Sequence, residues 1–132
     1  TLECLNWNSA QGTLTRFQAI STLPKEYKKP TGAATVQVHP NGRFLFASNR
    51  GDDSITAFSI HPADGHLTLM QRISSEGNTP RHFMVAPDGR WLVVANQDSG
   101  NIVILQCNSQ TGQLTATGRQ YPLDAAVCVL FE

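Results

Sequence analysis

Arg50 closes the phrase Phe44-Leu45-Phe46-Ala47-Ser48-Asn49-Arg50-Gly51, a short apolar run that breaks into a polar corner. A guanidinium there offers a planar fork of donors suited to a carboxylate, a phosphate or the oxyanion of an attacked carbonyl. The competing reading is a surface arginine that caps the turn or pairs with Asp52 or Asp53, the acids that follow it. Arg81 and His82 form a second constellation directly after Pro80. Arg81 suits a phosphate or a second acid group, or else a salt bridge between elements. His82 suits a base or a donor, or else a packed ring at a strand start. Asn49, Asn96 and Gln97 add amides able to bind a polar substrate, although asparagine at a strand end is ordinarily turn chemistry. Gln97 carries the greater weight, because it stands forty-seven residues after Arg50 in the same place of a repeat.

Other chemistries find no foothold. His39 and His61 each precede a proline, and no two histidines have ligand spacing with a cysteine or carboxylate, so no metal site and no cofactor is expected. The chain has no glycine-rich phosphate loop, no Gly-x-Ser-x-Gly elbow and no serine triad. Cys4, Cys107 and Cys128 are odd in number and far apart, which fits three reduced side chains filling strand positions in a reducing compartment. Net charge is zero and only 15% of residues are charged, so neither a nucleic-acid partner nor a membrane surface is indicated. No apolar run approaches the roughly 18–20 residues of a membrane-spanning helix. The first residues lack the basic region and cleavage site of a secretory signal. Together these features point to a cytoplasmic protein.

The elements that hold Arg50 are repeated. Pro87-Asp88-Gly89-Arg90-Trp91-Leu92-Val93-Val94-Ala95-Asn96 overlays Pro40-Asn41-Gly42-Arg43-Phe44-Leu45-Phe46-Ala47-Ser48-Asn49 without a gap. Arg43 and Arg90 recur in register after Pro-x-Gly and are therefore assigned to the scaffold. Gln11 to Ser21 overlays Asp64 to Ser74 at an offset of fifty-three, so the first unit carries about six extra residues in the loop 23–30. Apolar runs bounded by Pro, Asn, Asp and Gly predict strands at 35–39, 44–49, 54–60 and 67–74, then at 82–86, 91–96, 101–107 and 114–121. A strand ending near 8, another at 14–21 and a last one at 126–131 complete eleven. No segment keeps an apolar period of 3.6, so essentially no helix is predicted.

Four short strands at a period near 47 are the signature of a propeller blade. The expected fold is all-β, about 2.75 blades of four antiparallel strands: the end of one blade and a loop over 1–32, full blades over 33–78 and 79–122, and a final inner strand over 123–132. The first two strands of each unit read as apolar on both faces, as strands between neighbouring blades should be. Eleven strands fall short of the four to eight blades that close a propeller, so the chain is expected to be the C-terminal portion of a longer protein, with further blades upstream. Alternation of strand direction sends Asn49-Arg50-Gly51-Asp52, Asn96-Gln97-Asp98 and Thr79-Pro80-Arg81-His82 to one face. It sends Pro40-Asn41-Gly42-Arg43, His61, His66 and Pro87-Asp88-Gly89 to the other.

The succession Ala33-Ala34, Val36, Val38-His39-Pro40-Asn41-Gly42-Arg43 through Ser48-Asn49-Arg50-Gly51 closely resembles the seven-bladed β-propeller lactonases. That family includes 6-phosphogluconolactonases and the carboxymuconate-lactonising enzymes. The likeness continues through Asp53-Ser54-Ile55, Thr79-Pro80-Arg81, Ala95-Asn96-Gln97-Asp98-Ser99 and Val127-Cys128-Val129. It implies a seven-bladed propeller that hydrolyses 6-phospho-D-glucono-1,5-lactone to 6-phosphogluconate in the pentose phosphate pathway. The family's active-site arginine falls at Arg50, and Arg81, His82, Gln97 and Asn49, sent to the same face by the strand topology, are the expected substrate contacts. Catalytic Glu and His are implied in earlier blades, so the isolated chain is expected to be inactive. The alternatives are a muconate-type cycloisomerase, whose substrate carboxylates the same arginines would bind, and a non-catalytic repeat propeller. The last predicts one residue type at every corner, against Arg50 and Gln97 here.

Overall fold

The computed structural model describes residues 1–132 and consists of ten β-strands with no helix. Leu2–Asn8 (β1) and Thr13–Ile20 (β2) form an antiparallel hairpin. Gly32–Val38 (β3), Phe44–Arg50 (β4), Ser54–Ile60 (β5) and Leu67–Ser74 (β6) make one four-stranded sheet in sequence order. Pro80–Val85 (β7), Trp91–Asn96 (β8), Asn101–Cys107 (β9) and Leu114–Pro122 (β10) make a second sheet of the same order. Every pairing is antiparallel, as a meander of short connections requires.

Local chemistry closes the turns. Between β3 and β4 the Asn41 side chain accepts the N–H of Arg43 at 2.9 Å, while Gly42 supplies a φ of 74°. Between β7 and β8 Asp88 accepts the N–H of Arg90 at 2.9 Å and the Arg90 guanidinium at 2.7 Å. The backbone N–H and then the guanidinium of Arg90 hold the Asp88 carboxyl below its usual range. Arg90 therefore serves its own turn, and Arg43 lies over the Phe44 ring at 5.3 Å.

The core lies between sheets, because alternate side chains of one strand face opposite neighbours. Phe44, Phe46, Ile55 and Ala57 meet Phe83, Val85, Leu92, Val94, Val103, Leu105, Cys107 and Leu114 in one cluster. Ala47 and Phe58, on the opposite face, meet Leu2, with Cys4 and Ile20 beside them. Polar clamps lock the same interfaces. Gln18 on β2 both donates to and accepts from the backbone of Leu67, at 2.8 and 2.7 Å. Gln71 on β6 repeats this on Leu114, at 2.8 Å in both directions. His39 is buried, accepts the Asn41 N–H on Nδ1 at 3.1 Å, and so donates from Nε2 to the Gly89 carbonyl at 2.8 Å. A Cβ on Gly89 would sit 2.6 Å from that ring.

Three expectations are corrected. Residues 126–131 form no strand: a ladder needs a partner, and Val129 spends its N–H on the ring of His82 instead. β3 and β7 begin earlier than expected, at Gly32 and Pro80, because the corners at Arg50 and Asn96 extend the ladders to meet them. Proline is tolerated there as the first residue of a strand. The expected two-sided burial of the first inner strand is also absent, since Val36 and Val38 are about half exposed, at 45% and 53%. No neighbour within this chain covers that side.

Candidate functional site

Arg50 is the last residue of β4, and Gly32, the first of β3, is its Cα partner across the ladder. Thr31 donates its hydroxyl to the Arg50 carbonyl at 2.8 Å, which pins the corner backbone. Arg81 is the second residue of β7 and is tied to the neighbouring sheet, where Thr35 Oγ1 donates to its carbonyl at 3.2 Å. The two sheets thereby bring Arg50 and Arg81 to one open recess of about 290 Å³, lined by Ala33, Ala34, Arg50 and Arg81.

Neither arginine has a counter-ion. The four salt bridges of the chain involve Arg16, His61, His66 and Arg90. Asp52, a natural partner by position, accepts from the hydroxyl of Ser54. Asp53 accepts the N–H of Gly51 at 3.1 Å and that of Thr79 at 2.9 Å. Both carboxylates thus hold the turn, and pairing with Arg50 is not how the corner is built. The Nε of Arg50 is buried, and no protein group accepts from it. Two like charges beside one concavity, with no acid to neutralise them, make a positive field that favours an anion.

The other expected contacts are placed differently. Asn49, expected as a substrate contact, is 1% exposed and spends its whole amide inside the protein. Its Oδ1 accepts from Thr22 Oγ1 at 2.6 Å, and its Nδ2 donates to Ser54 and Thr56 hydroxyls, both at 3.1 Å. Strand alternation decides this, turning Asn49 with Ala47 toward the hairpin and Arg50 with Phe46 toward the sheet that carries Arg81. Asn96 is likewise buried and donates to the Ser75 carbonyl at 3.0 Å, but its Oδ1 has no protein partner. The half-buried His82 accepts the Val129 N–H on Nδ1 at 3.1 Å, which leaves the ring proton on Nε2. That ring clips the last segment of the chain and does not line the recess. Gln97 is half-buried and pairs through its backbone with Thr79 at 2.9 Å, and it does not line the recess either. Gly32, Ala33 and Ala34 were missed by residue chemistry, since none carries a functional group. Their signal was the register: the second unit has Thr79, Pro80 and Arg81 in their places.

No helix is long and apolar enough to cross a membrane. No group of three or more His, Cys, Asp or Glu could hold a metal ion.

Known proteins share this fold. The family described as "Lactonase, 7-bladed beta-propeller" matches residues 1–131. A 6-phosphogluconolactonase of Bacillus subtilis is 33% identical over 127 residues, which is 96% of this chain and 36% of that protein. Among solved structures, a Lactobacillus plantarum protein superimposes with a TM-score of 0.91 at 33% identity, over 96% of this chain and 37% of its own. A periplasmic gluconolactonase of Pseudomonas aeruginosa superimposes with a TM-score of 0.90 at 31% identity, over 96% of this chain and 35% of its own. The chain thus spans little more than a third of the length of these relatives. With the whole of its repeat matched, the chain belongs to the seven-bladed β-propeller lactonase family.

Proposed function

We propose that the protein hydrolyses 6-phospho-D-glucono-1,5-lactone to 6-phosphogluconate, the lactonase step of the pentose phosphate pathway. The observation that carries this reading is the pair of arginines, free of counter-ions, on one open recess. In the reaction the oxygen of water bonds to the lactone carbonyl carbon, and the carbonyl oxygen takes up negative charge. The ring C–O bond then breaks, the ring oxygen takes a proton, and a carboxylate remains. Arg50 stabilises the oxyanion as it develops, since a preorganised donor costs no reorganisation at that moment. Arg81, the more exposed of the two, binds the phosphate. Asp52 and Asp53 are committed to turn hydrogen bonds, so the base that activates water comes from further blades upstream. Those blades would cover the exposed Leu5, Trp7 and Leu14 of the hairpin.

An unphosphorylated gluconolactone is the second reading, favoured by the likeness to the periplasmic gluconolactonase. Substrate choice also bears on compartment, because a phosphorylated sugar is held behind a membrane by its charge, which favours the cytoplasm. The deciding experiment is hydrolysis of both lactones by the full protein, corrected for spontaneous opening, with Arg50→Ala and Arg81→Ala alongside. Arg50→Ala is expected to lower kcat on either substrate by about 100-fold or more. Arg81→Ala is expected to raise KM for the phosphorylated lactone alone. Full turnover in Arg50→Ala would move the chemistry elsewhere, and no turnover by the unaltered protein would favour the cycloisomerase or binding readings.

A further inference from the structure

We infer that Gly32 is a positioning residue: the space left by its missing side chain is the seat that holds the Arg50 guanidinium over the recess. The inference rests on the reading of Arg50 given above and adds the residue that orients it. A Cβ built on Gly32 would lie 2.8 Å from Nη2 of Arg50 and 3.5 Å from both Cζ and Nε. The guanidinium therefore lies directly on the glycine, which accounts for the burial of Nε without a partner.

Backbone conformation does not explain this glycine. Gly32 is not among the glycines with positive φ, so alanine is compatible with its backbone. The equivalent residue of the next unit is Thr79, a β-branched residue at a φ of 59°. Threonine thus occupies the left-handed conformation where glycine would be favoured, and glycine occupies the ordinary one. What changes in step is the corner residue, which is Arg50 opposite Gly32 and Gln97 opposite Thr79. Gly51 makes a useful contrast: it has a φ of 89° and a Cβ position 2.5 Å from the Pro30 carbonyl oxygen, both backbone reasons. At Gly32 the neighbour is the far end of a flexible side chain, so an added methyl moves the arginine and leaves the strand in place.

The test is Gly32→Ala in the full protein labelled with 15N-arginine, with the Arg50 Nε–H signal assigned by its loss in Arg50→Lys. The expected result is exchange of that proton with water at least about tenfold faster than in the unaltered protein. The midpoint of thermal unfolding should stay unchanged, and kcat/KM for the lactone should fall about 100-fold, as for a misplaced catalytic group. Adding Gly32→Ala to Arg50→Ala should cost nothing further in stability or activity, because the clash is with the guanidinium alone. Equal Nε exchange in the two proteins, or an equal loss of stability with and without Arg50, would overturn the inference. If Gly32→Ala fails to fold, a folded double variant supports the seat and an unfolded one refutes it. A protein that hydrolyses no lactone would remove the reading of the site, and the Nε exchange would still decide the role of Gly32.

Discussion

Asn49 and Arg50 are neighbours in the chain and opposites in the structure. The amide of Asn49 is enclosed by Thr22, Ser54 and Thr56, and the Thr22 carbonyl also takes the Thr56 hydroxyl at 2.9 Å and the Arg72 Nε at 3.0 Å. Replacing Asn49 by alanine leaves several buried polar groups without partners. We expect a loss of roughly 1–3 kcal/mol, read as a lower denaturant midpoint with an unchanged slope. Lactone KM should stay the same, which separates this residue from the recess beside it. Arg50 contributes no hydrogen bond through its buried Nε. It is a residue that stability alone would not choose, and such residues concentrate at functional sites.

At the scale of elements, the sheets are joined edge to edge by repeated glutamines. Gln71 reaches from β6 to both backbone groups of Leu114 on the next sheet, as Gln18 reaches from the hairpin to Leu67. Each clamp satisfies one N–H and one C=O that strand pairing leaves unused at that edge. Gln71→Ala should lower stability by about 1–2 kcal/mol. It should also speed amide exchange at Leu114 relative to Val103 on the same sheet, measured by hydrogen exchange. A uniform change at both positions would mean that the clamp acts on the whole fold and not on the seam.

The largest apolar cluster of the molecule joins two sheets, so each full blade depends on its neighbour. Cys107 sits in that cluster at 3% exposure, and burial pushes its thiol up to about 11 from an ordinary 9.0. The folded state therefore disfavours the thiolate more than the unfolded chain does. Its contribution to stability is complete below about pH 9 and is lost as pH rises toward about 11. A denaturation series across that range should show a falling midpoint that Cys107→Ala flattens. An alkylating reagent at pH 8 should modify the exposed Cys128 first and Cys107 only on unfolding.

Much of this molecule was legible in the chain itself. Strand positions, turn residues and the four-strand unit followed from short apolar runs, from Pro, Asn and Gly at fixed offsets, and from a repeat without gaps, all of which are local properties. The same register separated Arg43 and Arg90, which recur and serve the scaffold, from Arg50, which does not recur. The tertiary structure decided which neighbour each side chain meets. It enclosed Asn49 among Thr22, Ser54 and Thr56, spent Asp52 and Asp53 on turns, and engaged His82 with the backbone of Val129. It also joined Arg50 and Arg81, thirty-one residues apart, on one recess. Gly32 shows why the sequence alone stops short: a residue with no side chain announces nothing until the group filling its space is known. Periodicity is written along one strand, whereas the occupancy of space is settled by strands distant in the chain.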